Sequence, residues 1–115
     1  MKEQATVLIV DDEPNAIRVL SAILKSDGYT VLEALGVDKA ISIVHQNPVD
    51  AIITDIKMPH HDGYHLFDHM NEHAPHIPVI FLTAYGTVDA AVQAISSGAF
   101  YYFVKPPDYD KLKKV

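Results

Sequence analysis

Apolar and polar positions along this chain follow two rhythms. Five short runs are dense in apolar and β-branched residues: ATVLIV (5–10), YTVLEA (29–34), DAIITD (50–55), PVIFLT (78–83) and FYYFVK (100–105). The first, third and fourth are nearly continuous, the pattern of strands buried on both faces, as in a parallel sheet. The second is broken by Thr30 and Glu33 and reads as an edge strand. Between the runs, apolar residues recur at helical spacing. Ile17, Leu20, Ile23 and Leu24 form one stripe in 14–27, where Pro14 suits a first helical turn and Gly28 a C-terminal stop. Val37, Ala40, Ile41 and Val44 repeat the pattern in 37–46, and Leu66, Phe67 and Met70 repeat it in 63–73. Val88, Ala91, Val92 and Ile95 do so in 87–97, behind a Thr87 cap and before Gly98. A fifth helix is expected to start near Pro107 and to carry Leu112.

Strict alternation of strand and helix predicts an α/β domain with right-handed crossovers and a parallel sheet. At 115 residues the chain is one domain over 1–115, with a modest core and no internal repeat or linker. The last helix has only about two turns before Val115, and helices that short are marginal alone. The domain is therefore expected to come from a longer chain, cut in or just after that helix.

Composition narrows the class. Apolar residues make up 49% and charged residues 21%, ordinary for a globular domain. Net charge is −6, and the few basic residues are scattered rather than striped, so this domain is not expected to touch nucleic acid. Cysteine is absent, which removes disulfides and thiolate metal sites. Met1-Lys2-Glu3-Gln4 leads straight into a strand, without a signal pattern, and no apolar run has membrane-span length. A cytoplasmic location and no membrane contact are expected.

The candidate chemistry lies where the strands end. In open α/β sheets, ligands bind outside the carboxyl ends of the strands. Strand 1 ends in Asp11 and Asp12, strand 3 in Asp55, strand 4 in Thr83 and strand 5 in Lys105. Strand 2 ends in Ala34-Leu35 and offers no functional group. In a sheet of order 2-1-3-4-5, the flavodoxin-like doubly wound arrangement, the four polar ends become neighbours. Each group has a plainer reading taken singly. Asp12 or Glu13 could cap helix 1. Asp55 and Thr83 could be turn residues, and a lone lysine is usually a surface one. Jointly they form a hard-oxygen site that suits Mg²⁺, which takes one or two carboxylates plus phosphate oxygens. Three adjacent acids, Asp11, Asp12 and Glu13, otherwise repel one another. Asp55 can then serve as a carboxylate nucleophile toward a phosphoryl group, with Lys105 stabilising the transferring oxygens and Thr83 donating a hydrogen bond.

At this point the sequence resembles the receiver domain of two-component response regulators. The resemblance rests on VDDE (10–13), DIKMP (55–59) with Asp62-Gly63, LTAYG (82–86) and GAFYYFVKP (98–106), and spans about Thr6 to Leu112. It implies a phospho-acceptor signalling module rather than an enzyme, one that assists its own phosphorylation and dephosphorylation. It implies that Asp55 takes a phosphoryl group from a sensor histidine kinase. It implies Asp12 and Asp55 as direct Mg²⁺ ligands, Asp11 acting through water, and the Lys57 carbonyl as a further ligand. Thr83 and Lys105 become phosphoryl contacts, and Tyr102 the partner of Thr83 in a switch. A C-terminal output domain in the parent chain is implied, as is a homodimer through helix 4, strand 5 and helix 5. AYGTVDAAVQAISSGAF (84–100) resembles receivers of the nitrogen-regulator type, which regulate transcription. The Lys105–Pro106 bond is expected to be cis.

Three features depart from the family pattern. His60-His61 follows Met58-Pro59, where Gly-Met is common, and Pro107 stands where a large apolar residue is common. The third is a series at spacing four: His61, His65, His69 and His73. Spacing of four aligns side chains on a helix, so a metal site or pH sensor is conceivable, against a solvated flank beside the core stripe of helix 3. The flank is the preferred reading, because no carboxylate or cysteine completes a ligand set. Other functions compete with signalling. A Mg²⁺-dependent phosphohydrolase needs an acid/base partner close after Asp55, and none follows. A flavin binder needs an uncharged phosphate loop after strand 1, where DDEPNA stands. A phosphorylation-independent interaction module has no need of the acids, Thr83 and Lys105.

Overall fold

A computed structural model describes residues 5–56, 63–83 and 101–104, with the backbone alone at 83 and 101–104. The elements in chain order are β1 (Thr6–Val10), α1 (Pro14–Ser26), β2 (Thr30–Ala34), α2 (Val37–Gln46), β3 (Ala51–Thr54), α3 (Gly63–His73), β4 (Val79–Thr83) and β5 (Tyr101–Val104). Helices expected over 87–97 and from 107 lie outside the described residues. All strand pairs are parallel, and the sheet runs β2-β1-β3-β4-β5. Each strand begins one residue later than its apolar run, and β3 ends at Thr54, which leaves Asp55 just past the strand.

Burial follows the alternation of the strands. On one face Leu8, Val10, Ile52, Val79 and Phe81 pack against α2 and α3, through Val37, Ala40, Leu66, Phe67 and Met70. Phe81 is fully buried there and meets Tyr64 and Phe67 edge-on or tilted, with ring centroids 5.1 and 5.6 Å away. On the other face Val7, Ile9, Ile53, Ile80 and Leu82 pack against α1, through Ile17, Leu20 and Leu24. The central strands β1, β3 and β4 are thus covered on both sides. In β2 only Ala34 is fully buried, as an edge strand allows.

One position in α1 differs from the expected stripe. Ile23 is half-buried, and Ser21 takes the buried place beside Ile17, Leu20 and Leu24. At 100° per residue Ser21 lies about 40° from Ile17 and Ile23 about 120°, so the smaller polar side chain faces the sheet. The stop at Gly28 is as expected. Its φ is 98°, and the reversal lets Tyr29 N–H bond the Leu24 carbonyl at 3.1 Å.

Candidate functional site

The sheet ladder extends past the ends of the strands and positions the acids. Asp11 N–H donates to the Ala34 carbonyl at 3.1 Å, and Asp55 N–H donates to the Val10 carbonyl at 3.0 Å. The first residues after β1 and β3 are therefore held in register as firmly as the strands. Thr54, fully buried, donates its Oγ1 to the Asp55 carbonyl at 2.9 Å. The same carbonyl oxygen lies against Gly63, the first residue of α3. A Cβ on Gly63 would overlap it and come within 3.1 Å of the Asp55 carbonyl carbon and the Ile56 Cα. Gly63 N–H also donates to the Ile56 carbonyl at 2.8 Å, tying the first residue of α3 to the residue after Asp55.

The carboxylates of Asp11, Asp12 and Asp55 converge, each with an oxygen within 4.8 Å of the other two. Asp11 and Asp55 are only 5% and 8% exposed, whereas Asp12 is open to solvent. Asp11 Oδ1 accepts the Glu13 N–H at 3.0 Å, and Asp55 Oδ1 accepts the Ile56 N–H at 2.7 Å. Each buried carboxylate therefore has a backbone donor that fixes its direction. Glu13 occupies the N-cap of α1 but makes no side-chain cap bond, so the capping alternative does not describe it.

This donor set fits Mg²⁺. Two oxygens bound to one Mg²⁺ at ~2.1 Å stand at most about 4.2 Å apart, and the ion keeps several waters. Oxygens within 4.8 Å of one another suit an ion held directly by two carboxylates and through water by the third. The cluster is all oxygen, hard and anionic, and a divalent cation offsets the repulsion among its members.

The amino-acid sequence matches the family model described as "Response regulator receiver domain" over residues 7–115. The chain belongs to the response regulator receiver domain family. Among curated relatives, it is 39% identical over 111 residues to the transcriptional regulatory protein ZraR of Klebsiella oxytoca, covering 96% of this chain and 25% of that protein. The chain thus spans about a quarter of the length of the curated relatives it matches. A crystal structure of a response regulator receiver domain protein from Clostridium thermocellum superimposes with a TM-score of 0.89 at 34% identity, covering 96% of this chain and 89% of that one. The response regulator TrrA of Thermotoga maritima, solved in complex with Mg²⁺ and BeF, superimposes with a TM-score of 0.86 at 29% identity over 96% of this chain and 95% of that one. These likenesses carry the flavodoxin-like α/β fold. Receiver domains are signalling domains, and the acid cluster of this one fits the cation in the TrrA complex.

Of the other expected residues in this receiver domain, Thr83 closes β4 and pairs with Val104, while Tyr102 pairs with Phe81. Thr83 therefore ends the strand next to the one that delivers Asp55, and Lys105 follows Val104 directly in sequence. Lys105, Lys57 and the Lys105–Pro106 bond lie outside the described residues. Gly63 is the residue whose role sequence reasoning missed. The available signal was a glycine at a helix start, where side-chain caps are usual.

The histidine series reads differently in three dimensions. His65 and His73 are exposed, as a solvated flank requires, but His69 is half-buried against His45 of α2. Its pKa is lowered, first by burial and then by the nearby His73 and His45, with Glu72 opposing and His65 adding a little. His61 lies outside the described residues. No helix among the described residues is long and apolar enough to cross a membrane.

Proposed function

We propose that this receiver domain is the phospho-acceptor of a two-component system, and that Asp55 takes a phosphoryl group from the phosphohistidine of a sensor histidine kinase. The P–N bond to the imidazole breaks, a P–O bond to the Asp55 carboxylate forms, and the histidine leaves. The observation that carries this reading is the convergence of Asp11, Asp12 and Asp55, with Asp55 almost buried at the centre of the sheet's carboxyl edge. Asp12 and Asp55 would hold Mg²⁺ directly and Asp11 through water, with the Lys57 carbonyl as a further ligand. Bound there, the cation supplies positive charge beside the transferring oxygens. The Ile56 N–H, at 2.7 Å from Asp55 Oδ1, aims the carboxylate so that its other oxygen is the nucleophile. Lys105 pairs with a phosphoryl oxygen, and Thr83 donates to another.

Thr83 and Tyr102 then relay the event to an output domain C-terminal to this one, in a cytoplasmic regulator of the nitrogen-regulator type. The similarity to a protein named as a transcriptional regulator supports an output in transcription. Helix 4, strand 5 and helix 5 form the face for a homodimer. Incubation with a small acyl phosphate donor, followed by intact mass, tests the central claim. One phosphoryl group is expected on the unaltered protein with Mg²⁺, and none on Asp55→Asn or after chelation. Phosphoryl gain that survives either change overturns the assignment.

A further inference from the structure

The C-terminal ends of α2 and α3 are joined by imidazoles. His45 Nε2 and His69 Nε2 are 3.0 Å apart, across the two helices. Their rings meet edge to face, with centroids 5.2 Å apart at 90°. His73 stacks on His69 with centroids 4.2 Å apart at 18°, and its Nδ1 donates to the His69 carbonyl at 3.0 Å. The three rings border a cleft of about 190 Å³ whose other walls are apolar, Met70 and Ile77 among them. Met70 belongs to the core between these helices and the sheet.

The contact between His45 and His69 holds only while a proton and a lone pair face each other. A neutral imidazole carries one N–H and one bare nitrogen, and an imidazolium carries two N–H groups. With both rings neutral, one proton bridges the two Nε2 atoms. His45 lies in the last turn of α2 and His73 closes α3, where a helix C-terminus favours a cation. Both are exposed, so they take up protons first. A proton added to His45 goes to its outer Nδ1, and the bridge becomes a charge-assisted bond from His45 to the bare Nε2 of His69. His69 is the half-buried member, one turn back from the end of α3. A proton on its Nε2 removes the last acceptor and sets two N–H groups against each other at 3.0 Å. It also places a charge between those of His45 and His73. Among the described residues, the groups that act on His69 are His73, Glu72 and His65 from its own helix and His45 from α2, and of these Glu72 alone favours the charged form.

We propose that the His45–His69 bond is a pH-sensitive latch between α2 and α3, closed while His69 Nε2 is bare and opened when that nitrogen is protonated. Opening separates the last turns of the two helices and admits water to the cleft beside Met70 and Ile77. The direction follows from the burial and the neighbouring histidines that lower the His69 pKa from 6.5. The unfolded chain binds this proton near the ordinary value, and the folded chain binds it only at lower pH. Stability from the latch is therefore present above pH 6.5 and is lost as the pH falls through the lowered His69 value. The latch is separate from the carboxylates. α3 starts beside Asp55 and reaches His69 six residues on, about 9 Å along its axis.

Nuclear magnetic resonance titration of the whole chain, from about pH 8 to about pH 5.5 and so above the ordinary carboxylate range, tests the proposal. The ring resonances of His69 are expected to titrate below 6.5, and those of His45 and His73 at higher pH than His69. Amide shifts in the last turns of α2 and α3 are expected to follow the His69 midpoint. His45→Ala, at an exposed position, is expected to raise the His69 midpoint toward 6.5 and to abolish the shifts in α2. The melting temperature of the unaltered protein is expected to fall as the pH drops through this range. That of His69→Gln, neutral at every pH, is expected to fall less. A His69 midpoint unmoved by His45→Ala overturns the latch, as do α2 shifts that follow the His45 midpoint alone. An equal fall in melting temperature for His69→Gln overturns it too.

Discussion

Asp11 and Asp12 are neighbours in sequence with different physical situations. Asp11 is nearly buried and its Oδ1 holds the Glu13 N–H, so its carboxylate orders the entry to α1 as well as facing the cluster. Asp12 is exposed and contributes repulsion with no such bond among the described residues. In metal-free buffer, Asp12→Ala is expected to raise the melting temperature, by relief worth about 0.5 kcal/mol for an exposed charge. Asp11→Ala is expected to lower it, because the hydrogen bond from the Glu13 N–H, worth about 1 kcal/mol, is lost. Added Mg²⁺ is expected to stabilise the unaltered protein, since it binds the folded state alone, and to stabilise Asp12→Ala far less. Thermal melts with and without Mg²⁺ read all of these. A lower melting temperature for metal-free Asp12→Ala would contradict the electrostatic account.

At the scale of elements, the site depends on how α3 begins. The helix starts at a residue whose missing side chain admits the Asp55 carbonyl, and that carbonyl also accepts the Thr54 hydroxyl. Asp55 and Ile56, just past β3, are held by these contacts and by the bond from Gly63 N–H to the Ile56 carbonyl. Gly63→Ala places a methyl group against backbone that cannot retract without moving Asp55. Overpacking of this kind costs about 1–3 kcal/mol. Denaturant unfolding is expected to show that loss. Phosphorylation by an acyl phosphate is expected to slow, because Asp55, the proposed nucleophile, is displaced. If Gly63→Ala folds and reacts like the unaltered protein, the contact does not position Asp55.

For the whole molecule, the question is how chemistry at Asp55 reaches a distant face. The register sets Thr83 against Val104 and Phe81 against Tyr102, so the strand that ends beside the site also lines up with the proposed switch residue. A phosphoryl oxygen offers the Thr83 hydroxyl a charged acceptor, and such bonds are roughly twice as strong as neutral ones. We propose that this contact biases a two-state element in which Tyr102 takes part. Thr83→Ala is expected to accept a phosphoryl group still, since Asp55 and the cation remain. It is expected to lose the shifts that beryllofluoride, a phosphoryl mimic, induces in strand 5 and 87–97. Nuclear magnetic resonance reads both, and identical shifts with and without the Thr83 hydroxyl contradict this route.

Much of this was determined by the chain's own pattern. Near-continuous apolar runs dictate strands covered on both faces, since only a sheet between helices buries both sides of Leu8-Ile9-Val10 or Ile52-Ile53. Thr30 and Glu33 mark the edge strand because each faces water there. The acids were legible because parallel strands deliver their carboxyl ends to one edge, whatever the details of packing. Three things needed the tertiary structure. Ser21 displaced Ile23 from the buried stripe because the sheet selects the helix face by angle, and four apolar residues do not define one angle. Gly63 acquired a role only when α3 met a carbonyl eight residues earlier in the chain. His45 joined His69 and His73 across 24 residues of sequence, since spacing along one helix says nothing about what the neighbouring helix brings to it.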